Sequence, residues 1–454
     1  MEQHPTVGHQ EKGSQLKKAL GPWMLWGLGV GYVIGGEYFG WNLGLPVGGT
    51  YGMLAATLIV TVMYLTFVFS YTELACAIPK AGGVFDYGLR ALGPYGGFLS
   101  GLVQVIEFVF ALPAVAFAIG AYLSVYFPAI KPGWIGAALY LIFTLLNVWG
   151  VKQAASFELA VTVLAVAELL IFMAVTAPAF QWEHFRANPL PNGWMGVFAS
   201  LPFAIWFYLA IEGVANAAEE AHNPQRNVPL GFGSAIVTLV VLALGVFFCS
   251  VGVAGWEAVV YAGPGAAPSD SPLPLAMAHV IQRSSPLYGM LVGIGMLGLV
   301  ASFNGIILAA SRATMELGRV GFAPWFLGKT HPRLKTPVAA LLVNLGLGMA
   351  AILTGKTSEI ITLSCFGAIA LYILSMVSLI ALRRKEPHLH RPFRALAYPW
   401  SPLTTIGIAV VCLVSMTYYY PAVAAVFGAM LTLGTAYFVL VIRPELATPA
   451  RQVP

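Results

Sequence analysis

Apolar residues run in stretches of roughly 20 along the whole chain, divided by short polar, proline-rich or basic connectors. That is the spacing a hydrocarbon core about 30 Å thick imposes on helices. The period-two alternation of a transmembrane barrel is absent. Twelve spans are predicted, beginning near Pro22, Tyr51, Pro94, Gly133, Phe157, Trp194, Leu230, Pro286, Pro337, Glu359, Trp400 and Pro421. The polar start over 1–20, MEQHPTVGHQEKGSQLKKAL, lacks the short apolar core and cleavage site of a signal peptide and reads as a retained cytosolic tail; residues 444–454 read as a second one. Two connectors stand out. PKAGGVFDYGLRALGPYGGF, from Pro79 to Phe98, is too rich in glycine for a span and is expected as a surface or re-entrant helix on the inner side. The outer segment from about Gly255 to Ser285 is expected to end in a short helix over the outer mouth.

Composition sharpens this picture. Of 454 residues, 59% are hydrophobic and only 9% charged, where a soluble domain carries about a quarter charged residues, so the chain reads as an integral membrane protein. With the amino terminus inside, 19 of the 23 Lys and Arg residues fall on the cytoplasmic side, and only Lys131, Arg186, Arg283 and Lys356 fall outside. The positive-inside bias therefore places both termini in the cytoplasm, in a bacterial-type inner membrane. The net charge of +5 expresses this topology and implies no nucleic-acid partner. Cys76, Cys249, Cys365 and Cys412 lie in or beside apolar spans without CxxC spacing and read as packing residues. His388 and His390 share a basic loop without further ligands, and no metal or cofactor is expected. No nucleophile, phosphate-binding loop or HExxH points to an enzyme.

Within the spans, the pattern is broken at two matching places. The first span carries Gly35-Gly36-Glu37, and the sixth, five spans later, carries Glu212-Gly213. Interrupted helices in corresponding positions point to the binding site of an inverted-repeat transporter, because unwound backbone is tolerated only where it lines a cavity. The expected organisation is a first five-helix repeat over 21–180, an inverted second repeat over 192–385 and two peripheral helices over 398–443.

Six carboxylates lie within or beside spans: Glu37, Glu73, Glu107, Glu158, Glu168 and Glu212. Glu73 and Glu158 sit near helix ends and are expected to reach the cytoplasmic interface. The other four are too deep for a short side chain to reach water. One reading keeps a deep glutamate protonated and hydrogen-bonded to a neighbouring helix; another makes it functional, which the adjacent glycines favour at Glu37 and Glu212. No deep Lys or Arg accompanies these acids, so ionised carboxylates here would need an external cation. Aromatics near them, including Tyr38, Phe110, Trp206 and Tyr208, suit an ammonium group, which a ring can bind with about 0.5–2 kcal/mol once water is excluded.

These residues resemble a known family, the amino acid, polyamine and organocation (APC) transporters, through IPKAGGVFDYGLRALGPYGGF, AEEAHNPQRNVP, ASRATMELGRVGFAP and HPRLKTP. A narrower resemblance to the ethanolamine permeases lies in GGEYFGWNLGL, IEFVFALPAVAFAIGAYL, FELAVTVLAVAELLIF, FAIWFYLAIEGVANAAEE and LVASFNGIILAASR. The resemblance implies an all-α membrane protein of twelve helices, ten of them in two inverted five-helix repeats. It implies a permease that carries ethanolamine or a related small cationic amine by alternating access, with an amino acid or polyamine exchanger, or less readily a channel, as alternatives. In amino acid permeases of this kind the first break resembles Gly-Ser/Thr-Gly and receives the substrate carboxylate; here Gly35, Gly36 and Glu37 match it, and the acid would block that notch. Glu37 would then contact the ammonium or cap the second half-helix. The implied substrate site comprises Gly35, Gly36, Glu37, Tyr38, Glu107, Phe110, Trp206, Tyr208, Ala210, Ile211, Glu212 and Ser302, with free carbonyls expected at Ala210-Ile211. A lysine found in the fifth span of some proton-coupled relatives would fall near Ala165, which leaves Glu168 and Glu212 as candidates for a coupling proton. Membrane lipid is the other expected partner.

Overall fold

The computed structural model describes residues 20–80, 82–150 and 155–447. The tail through residue 19, most of the carboxy-terminal tail (448–454) and the connector carrying Lys152 lie outside the described residues.

The first expected span is α1 (Pro22–Val33) followed by the single turn α2 (Gly35–Tyr38). Proline at the start of α1 is tolerated because the first N–H groups of a helix have no partner within it. The chain then passes through α3 (Leu45–Ala77), the connector helix α4 (Val84–Leu92), α5 (Pro94–Ser124), α6 (Pro132–Trp149), α7 (Ala155–Thr176) and the short α8 (Trp182–Phe185). The second half runs through α9 (Met195–Trp206), a 3-10 segment (Ile211–Glu220), α10 (Pro224–Ala254), α11 (Trp256–Val260), α12 (Pro272–Met277), α13 (Pro286–Arg319), α14 (Val338–Ile352), α15 (Thr357–Lys385), α16 (Trp400–Tyr419) and α17 (Pro421–Tyr437).

Ten segments among the described residues are long and apolar enough to cross a membrane, and each coincides with an expected span. The two remaining expected spans, the first and the ninth, are shorter: α1 has 12 residues before its interruption and α14 has 15. The chain is a multi-pass helical membrane protein. Burial sorts its helices, since the apolar window of Met195–Ala218 is 94% buried and that of Pro421–Leu446 only 17%. The broken sixth segment is thus central, and the last helix presents its apolar residues outward, where lipid satisfies them.

The connector helix α4 forms where an inner surface helix is expected, and it packs against α5 and α15. The 255–285 segment carries two short helices, α11 at its start and α12 in its middle, where one at its end is expected. There Asn42, just past the first interruption, donates to the Ser269 carbonyl at 2.8 Å, and Thr357 at the start of α15 donates to Asp270 at 3.0 Å.

Two acids expected at the interface are instead buried. Glu73, at 0% exposure, accepts Arg383 Nε at 2.9 Å and the Ala395 N–H at 2.7 Å and pairs with Arg391 at 3.2 Å, which clamps the carboxy-terminal end of α3 to α15 and to the connector that follows it. Glu158, at 5% exposure, lodges against Gly31 of α1, where the missing side chain leaves room for its carboxylate. Helix packing encloses both acids, and only Glu73 gains charged partners there, which distance from a helix end does not reveal.

Candidate functional site

The two interrupted segments cross at the centre of the protein. In the first, the helical ladder falters at Ile34, but the backbone departs from helix only at Phe39, which is extended, and at Gly40, which has φ +90°. In the sixth, α9 ends at Trp206 and the chain turns at Ala210, which adopts a left-handed conformation (φ 76°) before the 3-10 segment. The first interruption therefore lies beside the expected Gly35-Gly36, while the second falls at Ala210, in the expected Ala210-Ile211 stretch. Gly35 and Gly36 have another purpose: a β-carbon at Gly36 would overlap the Trp206 carbonyl, so glycine lets the two backbones touch. Gly35 faces Ser302 of α13, whose hydroxyl donates to the Tyr32 carbonyl at 2.8 Å.

A narrow cavity opens at this crossing, with space for about one water molecule. Tyr32, Val33 and Gly36 line it from the first segment, Trp206 and Leu209 from the sixth, Val115 from α5, and Ser302 and Ile306 from α13.

Glu37 adjoins this cavity in sequence and is fully buried. Trp41 Nε1 donates to its backbone carbonyl at 3.1 Å, yet neither carboxylate oxygen has a hydrogen-bond partner among the described residues. None of the ion pairs among the described residues includes it. The capping role is thus not made here, since capping requires a backbone N–H on the carboxylate. A buried polar group without a partner costs about 1–3 kcal/mol, and more when charged, so this side chain is arranged for something the folded chain does not itself provide. The indole N–H of Trp206 is likewise buried without an acceptor, and Phe39 meets the Trp206 ring edge-on at 5.4 Å.

A second pair of acids lies beyond the sixth-segment turn. Glu107 and Glu212 are both fully buried and within electrostatic reach of each other, and neither Glu107 oxygen nor Glu212 Oε1 has a hydrogen-bond partner among the described residues. Tyr372 donates to Glu212 at 3.2 Å and exchanges a hydrogen bond with Tyr64 at 2.9 Å. Tyr208 shares one with Thr61 at 2.7 Å. The Ala210 carbonyl accepts the Gly213 N–H at 3.1 Å, so it is not the free acceptor expected. Phe110 is half-buried on α5 and stands outside the cavity lining.

Glu168 joins the site through Tyr38. The tyrosine hydroxyl lies 2.7 Å from Glu168 Oε2 and 3.0 Å from the Ala165 carbonyl, linking the first interruption to the fifth expected span.

Sequence reasoning missed Tyr32, Tyr64, Thr61, Val115, Ile306 and Tyr372. A signal existed for part of this set: Thr57, Thr61, Tyr64 and Tyr71 recur at helical spacing along α3 and form a polar stripe in an apolar span.

The sequence profile described as amino acid permease matches residues 20–442. An uncharacterized transporter of Rhizobium meliloti is 28% identical over 94% of this chain and 91% of its own length. The methylthioribose transporter of Bacillus subtilis is 26% identical over 89% of each chain, and a branched-chain amino acid permease of the same organism 25% identical over 85% of each. A match over nearly the whole chain, on a helical membrane protein with two crossing interrupted segments, places this protein in the amino acid permease family of the APC superfamily.

Proposed function

We propose that this protein is a secondary transporter that takes up ethanolamine or a closely related small amine across a bacterial inner membrane by alternating access. Twelve spans, ten of them in two inverted repeats, and cytoplasmic termini belong to this reading. The single observation that carries it is Glu37, a fully buried carboxylate at the first interruption with no hydrogen-bond donor and no cationic partner. A primary ammonium supplies both a positive charge and three donors. An amino acid would bring its own carboxylate next to Glu37, and like charges in a low-dielectric site repel strongly. Tyr208 lies within electrostatic reach of Glu37, and Trp206 walls the cavity beside it, so aromatic faces add to the attraction.

The second reading is transport of an amino acid, favoured by the likeness to relatives such as the branched-chain amino acid permease of Bacillus subtilis. Radiolabelled ethanolamine uptake into proteoliposomes separates the two. Uptake is expected to saturate, to be competed by unlabelled amine and not by alanine or leucine, and to fall at least tenfold in Glu37→Gln. Full activity in Glu37→Gln, or competition by amino acids alone, would sink the amine reading.

A further inference from the structure

From the Glu107–Glu212 pair, two rows of buried polar atoms run toward the cytoplasmic connector and away from the cavity. On α5, Gln104 and Ser100 follow Glu107 at intervals of three and four residues, which stacks all three on one helical face over about 10 Å. Gln104 Nε2 and Ser100 Oγ are buried and have no hydrogen-bond partner. On the 3-10 segment, Asn216 follows Glu212, and its Oδ1 is buried without a donor. Both rows end under the connector: Ser100 Oγ lies against Gly88 of α4, and Asn216 Oδ1 against Gly83 at its start. Tyr71 of α3 points its hydroxyl to the same glycine and stands edge-on to Tyr87 of α4 at 5.5 Å. Both of these hydroxyls are fully buried and unpartnered.

Five polar groups without a partner among the described residues, all in one direction, are an improbable product of packing, because buried polar atoms are overwhelmingly hydrogen-bonded. Water is the one partner that serves donors and acceptors alike at such spacing. The titratable groups facing the carboxyl pair are Tyr64 and Tyr71 from α3 and Tyr372 and Cys365 from α15, with Asp86 of α4 within electrostatic reach of Tyr71 near the inner surface. None of the ion pairs among the described residues neutralises either acid.

We infer that the Glu107–Glu212 pair exchanges a proton with the cytoplasm through a chain of water molecules held by Gln104, Ser100, Asn216, Tyr71 and Tyr87, along a route separate from the substrate cavity. The proton leaves a carboxyl oxygen for the first water, an equivalent proton passes from the last water to the cytoplasm, and the pair is left with one more negative charge. Nothing is oxidised or reduced. The inference rests on the transport reading above and adds to it the path by which substrate movement is linked to protons.

Two experiments test it in proteoliposomes of the full chain. In a background with the four native cysteines replaced, Gln104→Cys and Ser100→Cys are exposed to a small cationic methanethiosulfonate from the cytoplasmic face. Labelling at least tenfold faster than at Val103→Cys, on the adjacent face of α5, is expected; equal or absent labelling would overturn the route. This arm needs no substrate and decides the route even if ethanolamine is not carried. In the second arm, Tyr71→Phe and Gln104→Met are expected to lower amine-driven proton flux, read by an entrapped pH dye, at least tenfold while ethanolamine counterflow stays within twofold. Wild-type counterflow without proton flux would overturn the inference and leave the amine reading standing. Absence of wild-type counterflow would instead overturn the amine reading.

Discussion

The Tyr38 hydroxyl lies 2.7 Å from Glu168 Oε2, and both side chains are buried, so the interruption in the first span is latched directly to the fifth. The same ring is edge-on to Tyr122, whose hydroxyl donates to the Tyr38 carbonyl at 3.0 Å. Any rearrangement of the first segment must break or carry this latch.

Removing the donor while keeping the ring tests the latch. Tyr38→Phe leaves Glu168 without that hydrogen bond and is expected to destabilise the detergent-solubilised protein by about 1–3 kcal/mol, read as a lower melting temperature. If Glu168 also carries a coupling proton, Glu168→Gln retains ethanolamine counterflow and loses accumulation driven by a pH gradient. Normal gradient-driven accumulation in Glu168→Gln would exclude it from coupling.

The buried Glu73 clamp is expected to matter more for stability than any exposed ion pair. Its carboxylate is held by Arg383, Arg391 and a backbone N–H, with side-chain exposures of 21%, 8% and 1% for Arg383, Arg391 and Glu73. Glu73→Gln strands two guanidinium groups, and breaking a buried pair from one side costs about 3–5 kcal/mol. By contrast, Glu359→Gln, which removes an exposed pair with Lys356, is expected to change stability by less than about 1 kcal/mol. Thermal melting of both variants checks the contrast, and equal melting temperatures would refute it.

In the outer segment, desolvation raises the Asp270 carboxyl to about 7 against the lowering effect of the Thr357 hydroxyl. A carboxyl raised in the folded protein holds its proton more tightly there than in the unfolded chain. Its contribution to docking is therefore complete below its ordinary value near 3.8 and is lost as pH rises through about 7. Hydrogen exchange in residues 261–285, corrected for intrinsic rate, is expected to quicken between pH 5 and pH 8 and to become insensitive to pH in Asp270→Asn. A wild-type profile that is flat over this range would remove Asp270 as the cause.

Hydropathy and local pattern alone were sufficient to determine the membrane class, the existence of two matched irregular segments and the connector helix α4. These features arise from local interactions: span length against bilayer thickness, proline at helix starts and glycine where regular backbone fails. Glu37 was legible for the same reason, since an acid beside two glycines in an apolar run is anomalous in one dimension.

What only the tertiary structure decided is how residues distant in the chain meet. Gly36 is needed because Trp206, 170 positions later, brings its carbonyl against it, while the backbone itself unwinds at Phe39–Gly40 and Ala210. Glu73 and Glu158 have the sequence context of interfacial acids, yet neighbouring helices enclose both. The approach of Glu107 to Glu212 and the hydrogen bond of Tyr38 to Glu168 depend on helix rotation and crossing geometry, which hydropathy does not encode. Burial of a charge is a cost set by everything around it, so its resolution belongs to the assembled bundle and not to any single span.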